Sequence, residues 1–452
     1  MPNAVVPYIA NALLSTGLLK FKRQLVERNR KRNKQSHKIT VYLSINDSYS
    51  YLLLQVLGDF QSRFPVEFDF RCVLNKQAEM YPAPSLWDKN AFNDGSYLAG
   101  LYQLDFPLQA VKHSKELDNK ATAQLLHWEL QPGFLENALP LFKAYWSGSE
   151  KAINKLIDPA IAVNTECYHH HLLANENLLK ENGHYLSAML HYGGEWYWSI
   201  DRLQYLERRF NELSLNLGAL EVKYDLAQRN FCKQLNPSQI ADAKCKHLNQ
   251  EPIVMYWSIR SPYSYIALVR ARQLSQHYQV PLVVKPVLPM VMRRMQVPKN
   301  KKMYMAGDAK REANQHGLDF GCIADPLGKG VERCYALFEY AQSEGKGLEY
   351  LECYARSVWS RGIRSETDAG LKKIVEGVGL DWSLAKEKVQ DDSWRIWAQR
   401  NLAEFYGHDL WGVPSFKYRG ILLFGQDRVA RIEQLIVEKF TSNDRSGVVQ
   451  SG

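Results

Sequence analysis

A chain of 452 residues, 46% hydrophobic and 23% charged, is globular in composition and long enough for more than one core. Its net charge of +9 is concentrated: nine Lys or Arg face only Glu27 between Lys20 and Lys38, giving +8 there and +1 elsewhere, which excludes a basic body that binds nucleic acid. Seven cysteines without a Cys-x-x-Cys or a ligand-like pair argue against a disulfide framework or zinc site and fit a reducing compartment, the cytoplasm.

Residues 1–37 read as an apolar and then basic arm. Its "VVPYIANALLSTGLL" is short for a membrane span, and the basic residues follow the apolar run, the reverse of a secretory signal. Two readings stay open: a helix packed on the body, or a basic amphipathic helix peripheral to the anionic inner face of a membrane.

The rest of the chain repeats itself. "ITVYLSINDSYSYLLL" and "PIVMYWSIRSPYSYIAL" place Tyr49, Ser50 and Tyr51 on Tyr263, Ser264 and Tyr265, 214 positions on. The same offset carries Val73-Leu74 onto Val287-Leu288, Pro84 onto Pro298, Asp94 onto Asp308, and Leu104-Asp105-Phe106 onto Leu318-Asp319-Phe320. Near the ends it becomes 226, with Asp201 on Asp427 and Arg202 on Arg428. Each copy reads as strand, helix, strand, long helical region, two strands, helix. In the second copy, apolar "PIVMYWS" precedes a helix opening at Ser261-Pro262, and "VPLVVKPVL" is a buried-looking strand. Helical segments fill about 301 to 406, a hairpin joins "SFKYR" to "ILLF" across Gly420, and "DRVARIEQLIVEKF" closes the copy. The expected fold class is α/β, two tandem thioredoxin-like folds each with a helical insertion. Residues 38–214 and 251–440 are the copies, 215–250 a connecting helix and linker, and 441–452 a disordered tail.

The second copy carries "SPYSY" after its first strand, "GVPSF" at Gly412 to Phe416 and "FGQDR" at Phe424 to Arg428. In that order and spacing it resembles the 2-hydroxychromene-2-carboxylate isomerase and kappa-class glutathione transferase branch of the DsbA-like thioredoxin superfamily. The first copy is an eroded version. A helix N-terminus favours an anion in front of it; redox members place a cysteine thiolate there, and this chain has Ser261. The resemblance implies that Ser261 donates a hydrogen bond to the thiolate of bound glutathione. It makes Pro414 a cis-proline that leaves the Val413 backbone to pair with an extended cysteinyl peptide, and gives Gln426 and Asp427 the γ-glutamyl end. Trp411 would wall the pocket. Lys301, with Tyr304 and Asp308 following, would face the sulfur, and nearby Lys299, Lys302, Arg293 and Arg294 suggest a small anionic substrate.

The first copy has Asp47 where Ser261 falls and Ala188 where Pro414 falls, which reads as a lost site with a structural or regulatory role. Cys167 with His169, His170 and His171 lacks ligand spacing for a metal. The implied function is glutathione-dependent isomerisation or conjugation, in which thiolate adds to a conjugated carbon, the bond rotates and the thiolate leaves. The alternatives are a DsbA-like thiol-disulfide oxidoreductase and a non-catalytic peptide-binding module.

Overall fold

The computed structural model describes residues 5–218, 220–229, 231–246 and 251–442. It divides into two compact units. Lys20–Leu226 with Pro298–Lys301 form the N-terminal unit, and the other described residues form the C-terminal unit. The expected arm is not one body. Helix α1 (Val6–Leu13) falls with the C-terminal unit, and most of α2 (Thr16–Arg32) with the N-terminal one. Beyond Ser442 the expected tail lies outside the described residues.

The N-terminal unit runs β1 (Lys38–Leu43), α3 (Ser48–Arg63), β2 (Glu67–Cys72) and α4 (Pro84–Tyr102). A helical block follows: α5 (Lys115–Glu129), α6 (Phe134–Trp146), α7 (Glu150–Leu156), α8 (Pro159–Val163) and α9 (His169–Glu181). Then come β3 (Met189–Tyr192), β4 (Glu195–Trp198) and α10 (Leu203–Glu212). The sheet order is β2-β1-β3-β4. β1 is parallel to β2, with Lys38 opposite Glu67, and antiparallel to β3, with Thr40 opposite His191. Parallel strands need a crossover, which α3 supplies.

The connecting residues carry α11 (Leu226–Arg229) and α12 (Pro237–Lys246). The C-terminal unit then runs β5 (Ile253–Trp257), α13 (Pro262–Tyr278), β6 (Leu282–Pro286) and α14 (Lys299–Gln315). The block between the sheet halves continues with α15 (Lys329–Ala336), α16 (Phe338–Ser343) and α17 (Gly347–Ser360). It ends with α18 (Asp368–Gly377), α19 (Trp382–Lys388) and α20 (Trp394–Gly407). β7 (Ser415–Tyr418), β8 (Ile421–Phe424) and α21 (Val429–Ser442) close the unit, with sheet order β6-β5-β7-β8. β5 is parallel to β6, with Ile253 opposite Leu282, and antiparallel to β7, with Val254 opposite Lys417.

The unbroken apolar run of β5 follows from burial on both faces. Ile253, Met255 and Trp257 join the main core, while Tyr256 packs with Val287, Phe405 and Leu410 on the opposite face. The β7–β8 turn puts Arg419 and Gly420 at φ 50° and 72°, and Gly193 and Gly194 do the same between β3 and β4 at 56° and 79°. Two positive φ values are what a two-residue turn between twisted strands requires.

Candidate active site at the mouth of helix α13

Ser261 is the N-cap of α13, with Pro262 in the first turn. Its backbone is extended and its hydroxyl oxygen accepts from the Ser264 N–H at 3.1 Å. The hydroxyl proton goes elsewhere: Ser261 Oγ donates to the Val413 carbonyl at 3.2 Å, 152 residues along the chain. The second serine of the motif is structural. Ser264 is fully buried, its Oγ accepts from Ser258 N at 3.4 Å and its carbonyl from Trp257 Nε1 at 3.1 Å.

The Val413–Pro414 peptide is cis, and the Pro414 carbonyl accepts from Gly425 N at 2.9 Å. The Val413 backbone was expected to be open on both sides. In the structure its carbonyl is occupied by Ser261, because the two loops meet at the helix mouth. Gly412 has to be glycine: a Cβ there would lie 2.6 Å from the Phe424 ring. That ring stacks on Trp411, with centroids 5.1 Å apart. Trp411 is buried and its carbonyl accepts from Arg293 Nη2 at 3.0 Å. Arg293 also donates to the Tyr406 hydroxyl at 2.8 Å, so this cation braces the Trp411 loop.

The Gln426 side chain has its partners inside the fold. It is buried, its Nε2 donates to Glu312 Oε2 and Asp427 Oδ1, both at 2.6 Å, and its Oε1 accepts from Arg270 Nη1 at 3.1 Å. A side-chain amide with these partners is a brace, and the half-buried Asp427 carboxylate is the group it holds. Arg270 and Glu312, both buried, went unremarked in the sequence; an arginine inside "IALVRARQL" was the available signal. So was Arg260, whose guanidinium makes a two-pronged pair with Asp325 at 2.9 Å and 2.9 Å.

Lys301 too has partners within the protein. Its ammonium donates to the Met80 carbonyl at 2.6 Å and lies 5.3 Å from the Tyr185 ring centroid, within the N-terminal unit. Burial lowers its pKa to about 8. Tyr304, three residues on, is half-buried on α14 in the C-terminal unit. From the same helix, Asp308 accepts from the Tyr263 hydroxyl at 2.8 Å, tying the α13 mouth to the helical block.

In the N-terminal unit, Asp47 caps α3. Its carboxylate accepts from Tyr49 N and Ser50 N, from Ser50 Oγ at 2.7 Å and from Ser187 Oγ at 2.8 Å. Burial raises its pKa although these donors pull it down. Tyr49 donates to Asp94 at 2.7 Å. Beside this helix mouth is a cavity of about 230 Å³ lined by residues including Ser44, Asn46, Lys76, Tyr81, Tyr185 and Ser187. Of the histidine run, His171 Nε2 sits 2.9 Å from Glu129 Oε2. Among the described residues no group of three or more His, Cys, Asp or Glu is placed to hold a metal.

The stretch that carries the β5–β6 pair, the helix opening at Ser261, the inserted helical block and the cis-proline matches one family model over residues 252–437. These residues form a DSBA-like thioredoxin domain. The chain is also similar to a curated 2-hydroxychromene-2-carboxylate isomerase of Pseudomonas putida, 21% identical over 189 residues, covering 39% of this chain and 90% of the relative. Among solved structures, a 2-hydroxychromene-2-carboxylate isomerase aligns at 19% identity and TM-score 0.39, covering 43% of this chain and 99% of that one. A probable DsbA oxidoreductase from Streptomyces coelicolor aligns at 16% identity and TM-score 0.36, covering 42% and 89%.

Proposed function

We propose that the DSBA-like domain is a glutathione-dependent isomerase or transferase acting on a small anionic conjugated substrate. The observation that carries this reading is the Ser261 hydroxyl at the mouth of α13, joined to the Val413 carbonyl beside the cis peptide. No cysteine stands at either residue of the motif, Ser261 or Ser264, so the chain has no sulfur of its own to form a disulfide at this place, which disfavours a thiol-disulfide oxidoreductase.

Glutathione, when bound, would supply the thiolate that adds to the conjugated carbon and later departs. The residues present fit that group in part. Among the described residues the Val413 N–H makes no hydrogen bond, and Asp427 offers a half-buried carboxylate for an α-ammonium. Gln426 acts by holding Asp427. Ser261 has one proton to give and two acceptors to serve. Turning it from Val413 toward an anion in front of α13 stabilises that anion and releases the Val413 carbonyl for a peptide N–H. The helix N-terminus favours the same anion, lowering a thiol pKa from its reference of ~8.5.

We infer that the chain is a tandem duplication. Support comes from matching strand orders, from Lys38–Glu67 and Ile253–Leu282 pairs of equal sequence separation, and from Tyr49–Asp94 and Tyr263–Asp308 bonds related by the 214 offset. In the first copy the Asp47 carboxylate takes the anion position at the helix mouth, so this unit holds no thiolate there.

The test is a thermal shift with glutathione and S-methylglutathione. Stabilisation should reach ~2.7 kcal/mol at a hundredfold excess of ligand over Kd and vanish in Asp427→Ala. An unmoved wild-type melting curve at millimolar glutathione would overturn the cofactor assignment.

A further inference from the structure

Large apolar side chains that face water are unusually dense at the start of the chain. Helix α1 buries only Pro7, which lies against Gly362, and sets Asn11 against Gly321. On its other side Val6, Ile9 and Leu13 recur at i, i+3 and i+7, and all three are more than half exposed. Tyr8 beside them is 71% exposed.

Helix α2 buries no residue at all. One face is tied to the unit by Arg23, which pairs with Glu195 at 2.8 Å, and on the same face Arg30 and Glu27 pair with each other at 2.7 Å. Roughly opposite that face, Phe21 and Leu25 are 55% and 41% exposed, and the same stripe continues one and two turns later with Arg28 and Arg32. Lys20, Lys22, Arg28 and Arg32 make no ion pair among the described residues. An apolar stripe that costs free energy in water, continued by unpaired cations, is complementary to one environment in particular: an anionic lipid surface, with acyl chains for Phe21 and Leu25 and headgroup charge for the arginines. No helix among the described residues is long and apolar enough to cross a membrane, so the fit is to the interface.

We propose that residues 20–32 of α2 are a peripheral membrane-binding segment, with Phe21 and Leu25 entering the headgroup boundary of an anionic bilayer and Lys20, Lys22, Arg28 and Arg32 supplying the charge. The segment holds the protein at the surface without spanning it. This proposal does not depend on what the Ser261 site binds.

The experiment is flotation of the full chain with vesicles of phosphatidylcholine alone and of phosphatidylcholine with phosphatidylserine. The protein should float with the phosphatidylserine vesicles only, and high salt should release it. Arg28→Gln with Arg32→Gln should weaken partitioning about fivefold per cation removed. Phe21→Ser with Leu25→Ser should abolish flotation while the melting temperature stays at the wild-type value. Ile421→Ser, an exposed apolar residue of β8, is the control and should float unchanged. Equal flotation on both vesicle types, or Phe21→Ser/Leu25→Ser floating like the wild type, would overturn the proposal. So would a wild type that fails to float and sediments as a dimer that the same double variant turns into a monomer, since the face would then belong to a second copy of the chain.

Discussion

Ser261 has a single proton to donate, and in this structure it goes to Val413. Ser261→Ala should therefore cut glutathione-dependent turnover steeply, while removal of the cap costs only ~1 kcal/mol of stability; kcat with the denaturation midpoint separates the two effects. Gln426→Ala should weaken glutathione binding, because it releases Asp427, and should also cost more stability. It strips a shared partner from buried Arg270 and Glu312, so a loss of ~2 to 3 kcal/mol in unfolding free energy is expected. Lys301 carries a pH signature. Its pKa falls from 10.5 unfolded to about 8 folded, so the folded state binds fewer protons between those values and stability rises with pH across that window. The full penalty is present below about 8 and gone above 10.5. In Lys301→Met the rise, up to about 3 kcal/mol, should be missing; comparing wild-type and variant unfolding free energies from neutral to alkaline pH measures it.

Helix ends were the most readable elements. Ser261-Pro262 and Asp47 announce α13 and α3 through side chains that accept from N–H groups two or three residues on, a signal wholly local in sequence. Asp47→Ala should lose about 1 kcal/mol and leave turnover at the Ser261 site unchanged, whereas Asp47→Asn keeps an acceptor at the cap and loses less. If Asp47→Ala abolishes activity, the active site lies in the other copy. The end of α4 offers a gain: Gln103 is exposed with φ 56° at the C-cap. Gln103→Gly should relieve about 1 kcal/mol of left-handed strain, visible as a raised midpoint in urea. The N-terminal arm was harder, because "VVPYIANALLSTGLL" reads as one apolar stretch, yet the helix breaks at Leu14 and Ser15, and the boundary between the units comes later, after Leu19 inside α2.

For the whole molecule the proposal places the nucleophile outside the chain. A variant with all seven cysteines replaced by alanine should keep most glutathione-dependent turnover, and neither it nor the wild type should reduce insulin disulfides. Loss of turnover in one particular cysteine variant would move the nucleophile onto the protein. By itself the sequence determined the order of strands and helices, the cap residues and the apolar run of β5. All of these are written in periodicity and short-range chemistry, where a residue and the backbone it acts on lie within one or two turns. Only the tertiary structure decided which polar groups meet. Ser261 finds Val413 across 152 positions and Gln426 finds Glu312 across 114, while Lys301, one position in a basic cluster, goes to Met80. A buried donor must find an acceptor, but the sequence does not say which one, because that choice depends on how loops far apart in the chain are brought together by the packing of the core.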